Sequence, residues 1–167
     1  MVLEIDDWKF DIDMAATMEY SAAEAADHCT CAYCRNFYAA VDNTYPNLRT
    51  FLAQFGIDIE APDELMPFTS IMLMNLYAVS GSILQFSKEP ILVDGIKVFP
   101  ETAEQAMINT YCPRPYFVLS VGTMDLPWVL DEPMEEDQII SPANVPSFLK
   151  KMWSKLLNRQ PKDDMKS

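Results

Sequence analysis

The sequence predicts an α+β fold: a single domain whose mostly antiparallel sheet comes from the central region, packed by N-terminal helices and a C-terminal helix. Two observations lead there. Helix-type apolar spacing gathers before residue 56 and after residue 145, with strand-like runs between them. Strands and helices also fail to alternate, as a doubly wound sheet would require. The 167 residues and 19.0 kDa fit one domain,. It is expected over 1–160, with a frayed tail at 161–167. Half the residues are hydrophobic, enough for a core without staples.

Trp8, Phe10 and Ile12 alternate with Lys9, Asp11 and Asp13, a period-two strand signal. Ser21-Ala22-Ala23-Glu24 reads as a capping box opening an alanine-rich helix. Helical composition continues through Val41, and Asn43-Thr44-Tyr45-Pro46 breaks it. Thr44 is placed to cap a next helix, with Pro46 in its first turn. Leu48, Phe51, Leu52 and Phe55 then fall at helical spacing, and Gly56 is a natural stop. Residues 61–67 read as a loop.

From Phe68 to Phe86 the chain is apolar enough for one or two strands, with Ser80-Gly81-Ser82 as a turn or bulge. A helix over 70–79 competes, and periodicity does not separate the two. Ile91-Leu92-Val93 and Ile96-Lys97-Val98-Phe99 flank Asp94-Gly95, the strongest hairpin signal in the chain. A helical turn over 101–108 and an extended connector at Cys112-Pro113-Arg114-Pro115 follow. A strand is expected over 116–121, continuing toward Val129 past Pro127. After the acidic loop 131–137, Pro146 starts a last helix with Phe148, Leu149, Met152, Trp153, Leu156 and Leu157 along one side.

There are 25 acidic and 12 basic residues, a formal net charge of -13. The first 67 residues hold thirteen acids against three bases, Lys9, Arg35 and Arg49. Phosphate recognition needs Lys and Arg, so nucleic-acid binding is not expected. An acidic surface attracts a basic protein partner. No apolar run approaches a membrane span, and the acidic start does not resemble a signal peptide. A cytoplasmic protein that keeps away from membranes is the expectation.

One segment carries chemistry: His28-Cys29-Thr30-Cys31-Ala32-Tyr33-Cys34. Thiolate and imidazole are the ligands Zn²⁺ prefers, and a structural site takes four. Cys29, Cys31, Cys34 and His28 complete the count locally, with Cys112 as the alternative fourth ligand. On a regular helix Cys31 and Cys34 share a face while Cys29 points nearly opposite. A metal site therefore requires the chain to turn here, with a helix beginning near Cys34 or Arg35, whereas the alanine-rich context argues for a continuous helix. Two other readings stand beside it. Cys31-Ala32-Tyr33-Cys34 is a C-x-x-C of redox type, and reduced cysteines also serve as small hydrophobes on a helix. No phosphate-cradling glycine motif is present.

Cys29-x-Cys31-x-x-Cys34-Arg35-Asn36-Phe37, then Phe51-Leu52-x-x-Phe55-Gly56-Ile57-Asp58, then Leu126-Pro127-Trp128-Val129-Leu130 resembles a family of small bacterial cytosolic proteins of uncharacterised activity. The likeness covers about residues 28–132. It implies a bacterial source and an intracellular setting, and it brings no catalytic role. That family carries a histidine and a tryptophan before a central glycine, and Leu76-Tyr77-Ala78-Val79-Ser80-Gly81 has neither.

The functional expectation is a non-enzymatic protein that binds a macromolecular partner through its acidic surface. An immunity or antitoxin-like role is an analogy by charge alone. The alternative is a small thiol- or metal-dependent enzyme using Cys29, Cys31 and Cys34.

Overall fold

The computed structural model describes residues 1–68, 72–106 and 108–134. The expected C-terminal helix and tail, and the end of the acidic loop at 135–137, lie outside them. The fold is α+β, with an entirely antiparallel seven-stranded sheet. The strands are β1 (Val2–Ile5), β2 (Trp8–Ile12), β3 (Glu64–Pro67), β4 (Met72–Gln85), β5 (Ile91–Val93), β6 (Ile96–Thr102) and β7 (Tyr116–Asp125). Their order is β1-β2-β4-β7-β6-β5, with β3 also on β4. The helices are α1 (Met14–Ala26), α2 (Ala32–Thr44), α3 (Leu48–Ala53) and the single turn α4 (Ala103–Ala106).

β4 organises the sheet. One edge pairs with β7 from Met72 to Ser80. The other edge is shared: β3 lies opposite Leu73 to Leu76, and β2 lies opposite Gly81 to Gln85. Between these partners, side chains take over the ladder. The Ala78 N–H donates to Asp63 Oδ2 at 2.7 Å, and the Ser80 N–H donates to Thr17 Oγ1 at 3.1 Å. Thr17 in turn donates to the Asp13 carbonyl at 2.8 Å. A strand that changes neighbours would otherwise leave buried N–H groups unpaired. Asp63 is fixed as well by Tyr20, whose hydroxyl donates to Oδ1 and also meets Thr110 Oγ1 at 2.7 Å.

Both faces of β4 are covered from Leu73 to Ser80. Leu73, Tyr77 and Val79 join Phe10, Phe117, Leu119 and the residues Phe37, Val41, Leu52 and Phe55 around α2 and α3. Met74, Leu76 and Ala78 face the other way, against Met66, Val118, Ala106 and Cys112. This double burial explains the ambiguous apolar run over 70–79: a strand wet on neither face loses its polar alternation. The described part is strand rather than helix. Within the first layer Asn75 donates to Tyr77 Oη at 3.1 Å, and Tyr77 donates to the Ile59 carbonyl at 2.8 Å. Asn75 Oδ1 has no partner among the described residues, a local cost of about 1–3 kcal/mol.

The β5–β6 hairpin forms as expected, with Asp94 at φ 50 and Gly95 at φ 81, the double positive φ of a type I′ turn. Other boundaries differ from the sequence reading. α1 starts at Met14, because Asp13 Oδ1 accepts from the Ala16 N–H at 3.1 Å. Ser21 sits inside that helix, buried, and accepts from the Asp58 N–H at 2.8 Å instead of capping. Thr44 ends α2 with its hydroxyl on the Ala40 carbonyl, and α3 begins only at Leu48. Glu64–Pro67, expected as loop, is strand because β4 offers it an open edge. β7 stops at Asp125, before Pro127.

The beginning of α2 holds the segment that follows β7. Asn36 donates to the Pro127 carbonyl at 3.0 Å and accepts from the Val129 N–H at 2.7 Å. Trp128 packs its edge against Tyr33, with centroids 5.5 Å apart. The Cys-Arg-Asn-Phe and Leu-Pro-Trp strings thus meet in space. Asn36→Ala strands both backbone groups and is expected to cost about 2 kcal/mol. Urea unfolding followed by circular dichroism measures it, and a loss below about 0.5 kcal/mol would show that the clamp carries little.

Candidate metal centre

The corner between α1 and α2 is built by a break in the helix. The alanine run ends at Ala26, and Asp27, His28 and Thr30 are weak helix formers. The Asp27 N–H donates to the Glu24 carbonyl at 3.2 Å. His28 Nδ1 lies 2.8 Å from the Ala25 carbonyl. A carbonyl only accepts, so Nδ1 carries the proton and a neutral ring keeps its free lone pair on Nε2. The continuous helix suggested by composition is therefore replaced by the turn that a metal site requires.

That turn gathers the sulfurs. Cys31 is the N-cap residue of α2, in extended conformation, and Cys34 lies three residues on. These are the two positions that a capping box brings together. Cys29 folds back so that the Cys31 N–H donates to its Sγ at 3.5 Å. The Sγ atoms of Cys29, Cys31 and Cys34 all lie within 4.8 Å of one another. Sulfurs on one tetrahedral ion, each about 2.3 Å from it, would sit about 3.8 Å apart, so binding would draw sulfurs at that limit together by roughly 1 Å.

The three thiols differ in setting. Cys29 is exposed, Cys31 half-buried and Cys34 buried. The Cys31 N–H holds the Cys29 thiol below its ordinary range. Burial pushes the Cys34 thiol up, and its bonds to Cys31 and Cys29 add to this. Tyr38, one helical turn after Cys34, is raised by burial and then by the charge of Cys34.

The cluster lines a cleft of about 460 Å³ with Glu24, Asp27, His28, Tyr38, Pro62, Asp63, Leu65 and Pro67. Neither lysine nor arginine is among these residues. Burial, then the charges of Asp63 and Asp27, raises the Glu24 carboxyl above its usual range. Arg35, the nearest cation in sequence, bonds the Thr30 carbonyl and Glu132.

Of the residues expected in the site, the structure brings together Cys29, Cys31 and Cys34. His28 lines the same cleft, but no ring nitrogen falls within the sulfur group; its ring packs on Tyr38 with centroids 5.1 Å apart. Cys112 is elsewhere, buried beside Met66, Phe68 and Val118. Burial, then the Asp63 charge, pushes its thiol up to about 12. The acids and Tyr38 escape a reading of the sequence. Tyr38 alone had a local signal, the i, i+4 spacing from Cys34.

In metal-free native protein Cys29 is expected to react first with a thiol reagent, and Cys112 at least about a hundredfold more slowly, through unfolding. Timed alkylation with peptide mapping reads both rates, and equal rates would contradict the packing around Cys112.

No family model, curated protein or solved structure matches the chain. No helix among the described residues is long and apolar enough to cross a membrane.

Proposed function

We propose that this protein is a metal-dependent binding module in which Cys29, Cys31 and Cys34 hold a thiophilic ion, zinc first, beside a cleft for a basic partner. The observation that carries the reading is the mutual approach of three sulfurs contributed by one turn and one helix start. Soft thiolates favour Zn²⁺ or Cu⁺ over hard cations. The Cys31 N–H on Cys29 supplies the outer-shell support that a metal thiolate uses,. Cysteines that merely filled space on a helix would have no reason to converge at its exposed start. The partner half of the proposal rests on charge. Glu24, Asp27 and Asp63 share the cleft with the cysteines, in a chain of net charge -13.

Metal content and free thiols of untagged protein, purified under reducing conditions without chelator, test the first half. The expected result is one zinc per chain, with three thiols protected until a chelator is added. No metal after incubation with zinc, together with freely reacting Cys29 and Cys31, would overturn it. For the second half, the zinc-loaded protein should bind a lysine-rich peptide in a salt-sensitive manner. Binding indifferent to salt, or none, would count against the acidic cleft.

A further inference from the structure

We infer that the fourth position of the Cys29–Cys31–Cys34 centre faces the acidic cleft and takes a neutral nitrogen donor, an imidazole, from outside the chain. This rests on the metal reading above and adds the ligand class.

Three observations carry it. First, the described residues place three sulfurs together, whereas zinc takes four ligands,. Among the described residues no further cysteine, histidine, aspartate or glutamate joins that group. Cys112 is enclosed by Met66, Phe68 and Val118. His28 lines the cleft with Nε2 free and Nδ1 2.8 Å from the Ala25 carbonyl, but its ring packs on Tyr38 and neither ring nitrogen joins the three sulfurs. A site with three protein ligands and one open position is the arrangement that exchanges its fourth ligand.

Second, charge selects what can enter. Three thiolates around a divalent ion leave one net negative charge. Glu24, Asp27 and Asp63 line the same cleft, and among the described residues no lysine or arginine does. An anionic donor such as a carboxylate, a phosphate or a further thiolate meets like charge on approach. A neutral nitrogen base does not, and imidazole nitrogen is a preferred zinc ligand. A base carried on a cationic molecule would gain attraction as well.

Third, there is room. The cleft of about 460 Å³ falls within the usual span of small-ligand sites. Pro62, Leu65 and Pro67 give the ring of an incoming base an apolar wall.

The test uses full-length protein loaded with Co²⁺, whose visible d–d bands report the ligand set. The protein is titrated in parallel with imidazole, with azide, and with a lysine-rich peptide containing one histidine. Metal retention is checked by gel filtration after each titration. Imidazole is expected to change the spectrum saturably with the metal retained, and to bind at least about tenfold tighter than azide. The peptide is expected to produce the same spectral end-point. A tighter peptide would identify a protein side chain as the source, and equal affinity a free base; both support the donor class. His28→Gln is expected to leave the starting spectrum and the imidazole response unchanged.

An unresponsive spectrum, or a starting spectrum altered by His28→Gln, would overturn the inference by showing a closed site. Azide binding as tightly as imidazole would overturn it by removing the charge selection. Failure to take up Co²⁺ or Zn²⁺ at all is a separate result, which overturns the metal reading itself.

Discussion

Cys34→Ser is expected to lower zinc affinity by two to three decades while the far-ultraviolet spectrum stays native. Structural zinc sites supply roughly 10–16 kcal/mol across four ligands, so one thiolate accounts for about 2.5–4 kcal/mol. Serine keeps nearly the size of cysteine, and its hydroxyl can still meet Tyr38, which bonds Cys34. The loss should therefore appear in metal binding rather than in folding. Cys112→Ser is the matched control, because Cys112 is also buried but lies outside the sulfur group. Competition with a chromophoric chelator at fixed pH reads both variants. Equal losses would make Cys112 a ligand. No loss at Cys34 would mean that the cluster does not hold the ion.

Gly81→Ala is expected to remove about 4 kcal/mol or more, close to the whole stability of a marginal domain. Gly81 has φ +142, where side chains are strained, and it pairs with Ile12 across the β2–β4 ladder. A Cβ there would stand 2.1 Å from the Asp11 carbonyl oxygen, and 3.0 Å from the Ile12 Cα. Backbone atoms in a ladder cannot yield as the end of a side chain can. The Gly81 N–H meanwhile donates to the Pro115 carbonyl at 2.7 Å, so the residue is held from both sides. Gly95→Ala separates strain from collision, since its Cβ would meet nothing within 4 Å although φ is +81. A loss of only about 1 kcal/mol is expected there. Urea melts of the two variants should differ widely, and similar midpoints would contradict the close packing at Gly81.

What was legible in the sequence was local. Trp8–Ile12 alternates because only one of its faces is buried, and Asp94-Gly95 announces its turn through residues that tolerate positive φ. The cysteine cluster was legible as a composition and as a condition, that the chain must turn. The turn itself is closed by local bonds, Asp27 to Glu24 and His28 to Ala25, whereas other features depended on contacts made across the fold. Ser21 looks like a cap, but the Asp58 N–H claims its hydroxyl from outside the helix. Glu64–Pro67 looks like a loop until β4 presents an edge. The acidic wall of the cleft was hidden for the same reason. Glu24 and Asp63 are far apart along the chain, and meet there because Tyr20 on α1 bonds Asp63. Residues 73–80 were ambiguous because neither face of that part of β4 is wet, which leaves no polar periodicity to read,.

The side-chain splints along β4 change what an amide in mid-sheet can report. Ala78 and Ser80 sit in a central strand, yet the acceptors of their N–H groups are Asp63 and Thr17 rather than a neighbouring strand. Thr17 belongs to α1, and Asp63 is held by Tyr20 from the same helix. Deuterium should therefore enter these two positions whenever α1 lifts away, even while the β4–β7 ladder stays closed. The Val118 and Val121 amides lie in strand β7, which the splints do not touch, and should exchange only on global opening. Because α1 also leads into the cysteine turn, loading the protein with zinc should slow Ala78 and Ser80 selectively. Two amides in the middle of the sheet would thus serve as a clock for events at its rim.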